Sequence, residues 1–268
     1  MVVVTLTTDF GLRDPYVAEM KGVILGLAGT VHLVDVTHEV PRHDITEGAL
    51  ALEAVAPFFP AGTIHLAVVD PGVGTARRGI AVASGGHVFV GPDNGLFTPF
   101  LDGAFEAVEL ASPDHRMTTV SRTFHGRDVF APAVAHVARG LALPHLGPAV
   151  TDPVRLGWPR ARELAGTVAG TVVHVDRFGN LVTSIPADAV EPLPPGALIR
   201  VAGRTVPLVG TYADLAPGGA GALVGSRNRL EIAVREGSAA ARLGARRGTP
   251  VVISRRPAAP TKKRLRRV

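Results

Sequence analysis

The stretch "VVDPGVGTARRG", residues 68–79, closes one apolar run and opens the next. Upstream lies "TIHLAVV" (63–69), a strand-like run that ends in Asp70. Downstream, "GIAVASGGHVFV" (79–90) reads as a β-hairpin. Two closely spaced glycines after a strand invite a phosphate-loop reading, but a dinucleotide fingerprint needs its third glycine at a helix start. Here Gly74 is followed by Thr75, Ala76, Arg77, Arg78 and another strand, and no Walker lysine is present. Asp70 would also repel a phosphate at that point. The loop is therefore read as one whose Pro71, Gly72 and Gly74 turn the chain tightly, so that Asp70 and an arginine of the Arg77-Arg78 pair can stand on either side of one pocket.

Working outward, the first half alternates strand and helix signals. "VVVTL" (2–6) and "VHLVDV" (31–36) are further short apolar runs. Asp14-Pro15 reads as an N-cap and first-turn pair, followed by Val17, Met20, Ile24 and Leu27 at helical spacing. Asp44 and Glu47 have capping-box spacing and open a helix to about Pro57. "DVFAPAVAHVARG" (128–140) reads as an amphipathic helix with Asp128 as its cap. Strands alternating with helices imply a doubly wound, mainly parallel sheet. From Thr167 onward, short β-rich runs such as "TVVHVD", "LVTSI" and "RLEIAV", punctuated by glycine and proline, imply a smaller all-β barrel. The expected organisation is an α/β domain over 1–150, a linker over 151–166, a barrel over 167–254 and a basic disordered tail over 255–268.

Bulk composition narrows the class. The 268 residues are 46% hydrophobic and 19% charged, far from a disordered profile. No cysteine is present, which excludes disulfides and thiolate metal sites and fits a reducing, cytoplasmic setting. The N-terminus "MVVVTLTTDFG" lacks the basic region and cleavage site of a signal peptide, and no apolar run reaches the ~18 residues of a membrane span. Net charge is +5, yet seven cations sit in the tail "RRPAAPTKKRLRRV"; removing them leaves the body at −2. Nucleic-acid binding is accordingly not expected beyond weak, salt-sensitive contact by that tail.

Ligands of open α/β sheets bind beyond the carboxyl ends of the strands. Asp9, Asp35 and Asp70 stand at or near such ends; Asp9 and Asp70, each followed by a glycine-containing loop, are expected to project into one crevice. In "RTFHGRDVFAP" (122–132), His125 lies in a loop just before a helix, beside a glycine that permits close approach. The ten histidines are otherwise scattered, with no H-x3-H or H-E-x-x-H spacing, so no metal is expected. "TTDFG" lacks every accompanying kinase motif, and no G-x-S-x-G elbow marks a serine hydrolase.

Taken in order, "TLTTDFG…DPYV", "VVDPGVGT-x-R", "GPDNGL", "TFHGRDVFAP" and "DRFGN" resemble the S-adenosyl-L-methionine (SAM) hydroxide adenosyltransferase, or SAM hydrolase, family, which is related to the fluorinase and chlorinase enzymes. The resemblance spans roughly residues 2–254. It implies a homotrimer with active sites between the N-terminal domain of one subunit and the C-terminal domain of its neighbour. The implied reaction is attack of water or hydroxide on C5′ of the SAM ribose, giving adenosine and methionine with no cofactor. The family's Asp, Arg and His fall on Asp70, Arg77 and His125, which makes Arg77 the functional arginine of the loop and leaves Arg78 as a solvated neighbour. By the same resemblance Asp9 holds the ribose hydroxyls, while Asp14, Ser226 and Arg227 hold the methionine end. Asp176 and Asn180 reach its amino group, Glu231 and Val234 border the adenine, and Ser184 shares the face of Asn180. Gly126 stands where the halogenases carry a halide-holding serine, which favours water over halide. A non-catalytic SAM or adenosine sensor and a halogenase are the alternatives, and the preferred sulfonium epimer is left open.

Overall fold

The computed structural model describes residues 1–164, 166–194 and 197–254, so the expected basic tail lies outside the described residues. The chain divides into two units, Met1–Trp158 and the segment from Pro159 onward.

The first unit is built on a six-stranded sheet of order β2-β1-β3-β5-β4-β6. Its strands are β1 (Val2–Thr8), β2 (Val31–Thr37), β3 (Ile64–Val68), β4 (Gly79–Ser84), β5 (His87–Pro92) and β6 (Phe105–Glu109). β1 pairs in parallel with β2 and β3, and β3 with β5; β4 runs antiparallel to both β5 and β6. One reversed strand thus interrupts a mainly parallel sheet, and it enters through the expected hairpin. Side chains alternate between two cores, as period-2 strands require. Leu66, Ala81 and Val90 face one cluster with α1 (Tyr16–Ala28) and α3 (Ala131–Ala138). Ala67, Ile80, Val82 and Phe89 face the other, under α2 (Ile45–Val55). Helices on both faces make the sheet doubly wound.

Local differences have identifiable causes. Asp44 caps α2 by accepting from the Glu47 N–H at 3.0 Å, but the helix ends at Val55 and Ala56–Phe58 form a 3-10 turn. Pro57 has no N–H to continue the ladder. α1 begins at Tyr16 with Pro15 in the cap position and no side-chain cap bond, so Asp14 is not its N-cap and remains exposed. Residues 152–156 are tied to the first unit: Arg78 bonds Asp152, the Val154 N–H donates to Asp93, and the Leu156 N–H donates to Thr98 Oγ1.

The named strands of the second unit pair antiparallel, in the order β11-β10-β14-β8-β9-β13-β12, with β7 (Arg162–Leu164) on β8. β8 (Thr167–Val175) serves two partners, pairing β14 (Pro250–Ser254) through its first half and β9 (Leu181–Pro186) through its second. The path continues through β10 (Leu198–Val201), β11 (Arg204–Pro207), β12 (Ala220–Val224) and β13 (Arg229–Val234). A bridge between Leu208 and Ala222, with the Val209 N–H donating to Ala222 O at 2.8 Å, nearly closes the barrel. A short α4 (Ala239–Leu243), capped by Ser238, packs Ala239 and Leu243 into its core.

Candidate active site

The turn after β3 brings an acid and a base of the same loop together. Val73 N–H bonds Asp70 O and Thr75 N–H bonds Gly72 O, folding 70–75 into successive tight turns. Gly74 carries φ 79°, and a Cβ there would stand 2.6 Å from Arg122 O, so only glycine lets this loop meet the 122–125 segment. The Thr75 hydroxyl accepts from the Arg77 N–H at 3.3 Å, which turns the arginine back over the loop.

Arg77 then spans two partners. Its Nε donates to Asp70 Oδ1 at 2.9 Å and its Nη2 to Asp70 Oδ2, the forked pairing that guanidinium and carboxylate favour. Nη2 also lies 3.0 Å from His125 Nδ1. The ion pair is largely buried, with the Arg77 and Asp70 side chains 10% and 5% exposed. Phe130 closes one side, its ring centroid 5.2 Å from the guanidinium carbon and set edge-to-face with His125.

His125 titrates below its ordinary value because burial disfavours the cation and the Arg77 charge opposes it, with Asp70 pulling partly the other way. The ring is therefore neutral at pH 7. A guanidinium only donates, so Nδ1 must accept and Nε2 carries the proton. The cluster thus offers one acceptor, the Asp70 carboxylate, and one donor, His125 Nε2–H.

His125 precedes a single π turn, Gly126–Phe130, and not the start of a regular helix. Asp128 is not a helix cap, contrary to expectation. Its carboxylate is buried inside the turn, accepting from Ser121 N–H at 2.8 Å and from Arg127 Nε at 2.7 Å, while Arg127 Nη1 reaches Glu19 of α1 at 2.8 Å. Arg78 is not a solvated neighbour either. Its Nε donates to buried Asp93 at 2.9 Å and its Nη1 to Asp152 at 2.8 Å, pairings from distant sequence that no local pattern announces. Phe130, the aromatic wall of the cluster, was also missed; its position five residues beyond His125 was the available signal.

Asp9 sits at the end of β1, in a cleft of about 600 Å³ lined by residues 9–14 and 38–42, and Asp14 lines the same cleft. Asp9 Oδ2 accepts from the His43 N–H at 2.9 Å, with His43 held at φ 65°. The ring of Phe10, beside Asp9, meets that of Phe124, beside His125, with centroids 6.0 Å apart, so the cleft and the triad are joined through aromatic packing.

In the second unit, Asp176 and Asn180 are brought together. Asp176 Oδ1 accepts from the Asn180 N–H at 2.8 Å, and Oδ2 from Asn180 Nδ2 at 3.0 Å. Glu231 is buried and accepts from Tyr212 Oη–H at 2.6 Å; burial and this carboxylate push the Tyr212 phenol up to about 12. Ser226 and Arg227 are exposed in the β12–β13 turn. Ser184 is buried with its hydroxyl accepting from the Thr171 N–H at 3.0 Å, and Val234 packs in the barrel core. Among the described residues no group of three or more His, Asp or Glu is placed to hold a metal, and no helix is long and apolar enough to cross a membrane.

Fold and site together define a two-domain protein that presents a buried carboxylate–guanidinium–imidazole cluster at the strand ends of an α/β sheet. Residues 4–147 match the SAM hydroxide adenosyltransferase N-terminal domain and 170–252 the C-terminal domain of the same family. The chain belongs to the SAM hydroxide adenosyltransferase family. It is 44% identical to an (R)-S-adenosyl-L-methionine hydrolase of Salinispora tropica over 90% of this chain and 93% of that one. The hydrolase of Thermus thermophilus is 43% identical, covering 91% and 96%. A fluorinase of an Actinoplanes species is 30% identical, covering 79% and 83%. Among solved structures, an uncharacterized conserved protein from Thermotoga maritima superposes with TM-score 0.88 at 31% identity, over 95% of this chain and all of that one.

Proposed function

We infer that this protein is an enzyme that hydrolyses S-adenosyl-L-methionine, of the (R)-sulfonium epimer, to adenosine and L-methionine. The observation that carries the reading is the single guanidinium of Arg77 bound to both Asp70 and His125. Sulfonium leaves as a neutral thioether, so no acid is needed to protonate it. The task is to aim a poor nucleophile, since bulk water has a pKa of about 15.7.

The donor and acceptor left over by the triad suit one water. It would accept from His125 Nε2–H and donate to Asp70, keeping its second lone pair for C5′. As the O–C5′ bond forms, the C5′–S pair moves onto sulfur and positive charge shifts to the attacking oxygen, where Asp70 stabilises it and receives the proton on its way to solvent. Arg77 fixes the carboxylate and the histidine tautomer. Positioning of this kind supplies up to about 7–11 kcal/mol in the best intramolecular cases.

In this proposal Asp9 accepts from the ribose hydroxyls, and Asp14, Asp176, Asn180, Ser226 and Arg227 bind the methionine portion. The working form is a homotrimer, SAM is the substrate and no cofactor takes part. A cytoplasmic setting accords with a chain that contains no cysteine. The test is incubation with epimerically pure (R)- and (S)-SAM in chloride or fluoride buffer. Consumption of the (R) epimer with equal adenosine and methionine is expected. No turnover of either epimer, or a 5′-halogenated nucleoside, would overturn the reading.

A further inference from the structure

The segment 38–43 grips the end of β1 at four points, and His38 supplies two of them. Its backbone carbonyl accepts from the Gly11 N–H at 2.8 Å, two residues after Asp9. Its ring Nδ1 lies 2.9 Å from the hydroxyl of Thr8, the residue before Asp9. The third is the Val40 N–H, which donates to Thr8 O at 3.4 Å, and the fourth is the His43 N–H, which donates to Asp9 itself. Thr8 and His38 are both buried.

The ring of His38 is held from behind. Nε2 stands 3.0 Å from Asp35 Oδ1, and Lys21 Nζ donates to Asp35 Oδ2 at 2.6 Å. Nε2 makes no aligned hydrogen bond to that carboxylate, so Asp35 acts on the ring through its charge. With its proton on Nε2, the imidazole accepts at Nδ1 from the Thr8 hydroxyl. Thr8 Oγ1 in turn accepts from the Phe10 N–H at 3.3 Å. Phe10 N–H, Thr8 and the imidazole thus form two linked hydrogen bonds in one direction, the first polarising the second, with the Asp35 carboxylate beside the far side of the ring as a charge contact. One end of that chain is anchored by Lys21 on α1; the other brackets Asp9. With one Asp9 oxygen taken by His43, the carboxylate has a fixed orientation in its cleft.

We infer that His38 is a positioning residue for Asp9, and that the Asp35–His38–Thr8 chain sets recognition of a ribose diol. His38 acts through Thr8 and the 9–11 turn and not by touching the ligand. The inference rests on the proposed reading of Asp9 as the group that accepts from the ribose hydroxyls.

The test compares binding of adenosine with that of 2′,3′-dideoxyadenosine by calorimetry, independently of turnover. Wild-type protein should prefer adenosine, and Asp9→Ala should abolish the preference. His38→Leu should weaken adenosine binding about tenfold, the worth of one hydrogen bond to a charged group, while dideoxyadenosine binding changes less than about twofold. Thr8→Val, which keeps shape and removes only the hydroxyl, should behave like His38→Leu and guards against a variant that fails to fold. His38→Asn, whose amide sits near the Nδ1 position, should restore most of the preference. Equal weakening of both nucleosides in Thr8→Val, or no change in either, would overturn the positioning role. A wild-type protein that binds the two alike would overturn the Asp9 reading itself, and the inference with it.

Discussion

Replacing Arg77 by lysine keeps the charge and removes the fork. The guanidinium makes three contacts with the other two members of the cluster, Nε to Asp70 Oδ1, Nη2 to Asp70 Oδ2, and Nη2 to His125 Nδ1. A lysine ammonium is a point charge on a flexible stem and can satisfy one carboxylate oxygen, so the Nε contact and the bond to His125 are lost. Hydrogen bonds to charged groups are worth about 1.5–3 kcal/mol each, so the pair amounts to at least about 3 kcal/mol. If that loss falls on the aimed water in the transition state, kcat drops about a hundredfold, at 1.36 kcal/mol per decade. Arg77 does not touch the substrate in this account, so KM stays within about threefold. Steady-state release of adenosine from (R)-SAM, followed by chromatography, gives both constants, and a thermal melt confirms that the variant is folded. A kcat within threefold of wild type, or a rise in KM alone, would refute the role given to the fork.

Gly74→Ala should lower both stability and kcat, because its φ of 79° and the 2.6 Å approach to Arg122 O leave no room for a methyl group; wild-type turnover would contradict this. Arg78→Met should strand the buried Asp93 carboxylate and cost about 2–4 kcal/mol in urea unfolding while leaving kcat of the folded enzyme near wild type. His65 is buried between Thr5 and Phe89, and burial, with the nearby His87, pushes it down to about 4. The unfolded chain then binds the proton more readily, so stability is full above about pH 6.5 and falls as pH drops toward 4, losing about 2 kcal/mol between pH 7 and 5. His65→Gln should flatten the urea midpoint over that range by this amount; an unchanged slope would refute it.

Much of the first unit was legible because its strands are short apolar runs ending in acids, and because Asp44 with Glu47 writes a helix start into local sequence. β6 and α4 went unread: each is five residues long, too short for periodicity to register. The π turn after His125 has no propensity signature. Its cause is tertiary, since a Cβ on Gly126 would lie 2.9 Å from Met20 Sδ and Arg127 is drawn to Glu19 on α1. The Asp70–Arg77 pairing was readable from a seven-residue loop, whereas the Arg78 pairings with Asp93 and Asp152 join segments 15 and 74 residues away. Sequence spacing does not report hydrogen-bond partners either: Ser184 follows Asn180 by two strand repeats, and its hydroxyl accepts from the Thr171 N–H of the neighbouring strand.

The claim that Asp70 aims a water and does not itself attack C5′ can be read directly from oxygen. A single turnover of (R)-SAM with excess enzyme in H2¹⁸O should place one ¹⁸O on the adenosine 5′-carbon and none in methionine. Adenosine that carries unlabelled oxygen from the first turnover, as an ester of Asp70 hydrolysed at its carboxyl carbon would give, would contradict the account.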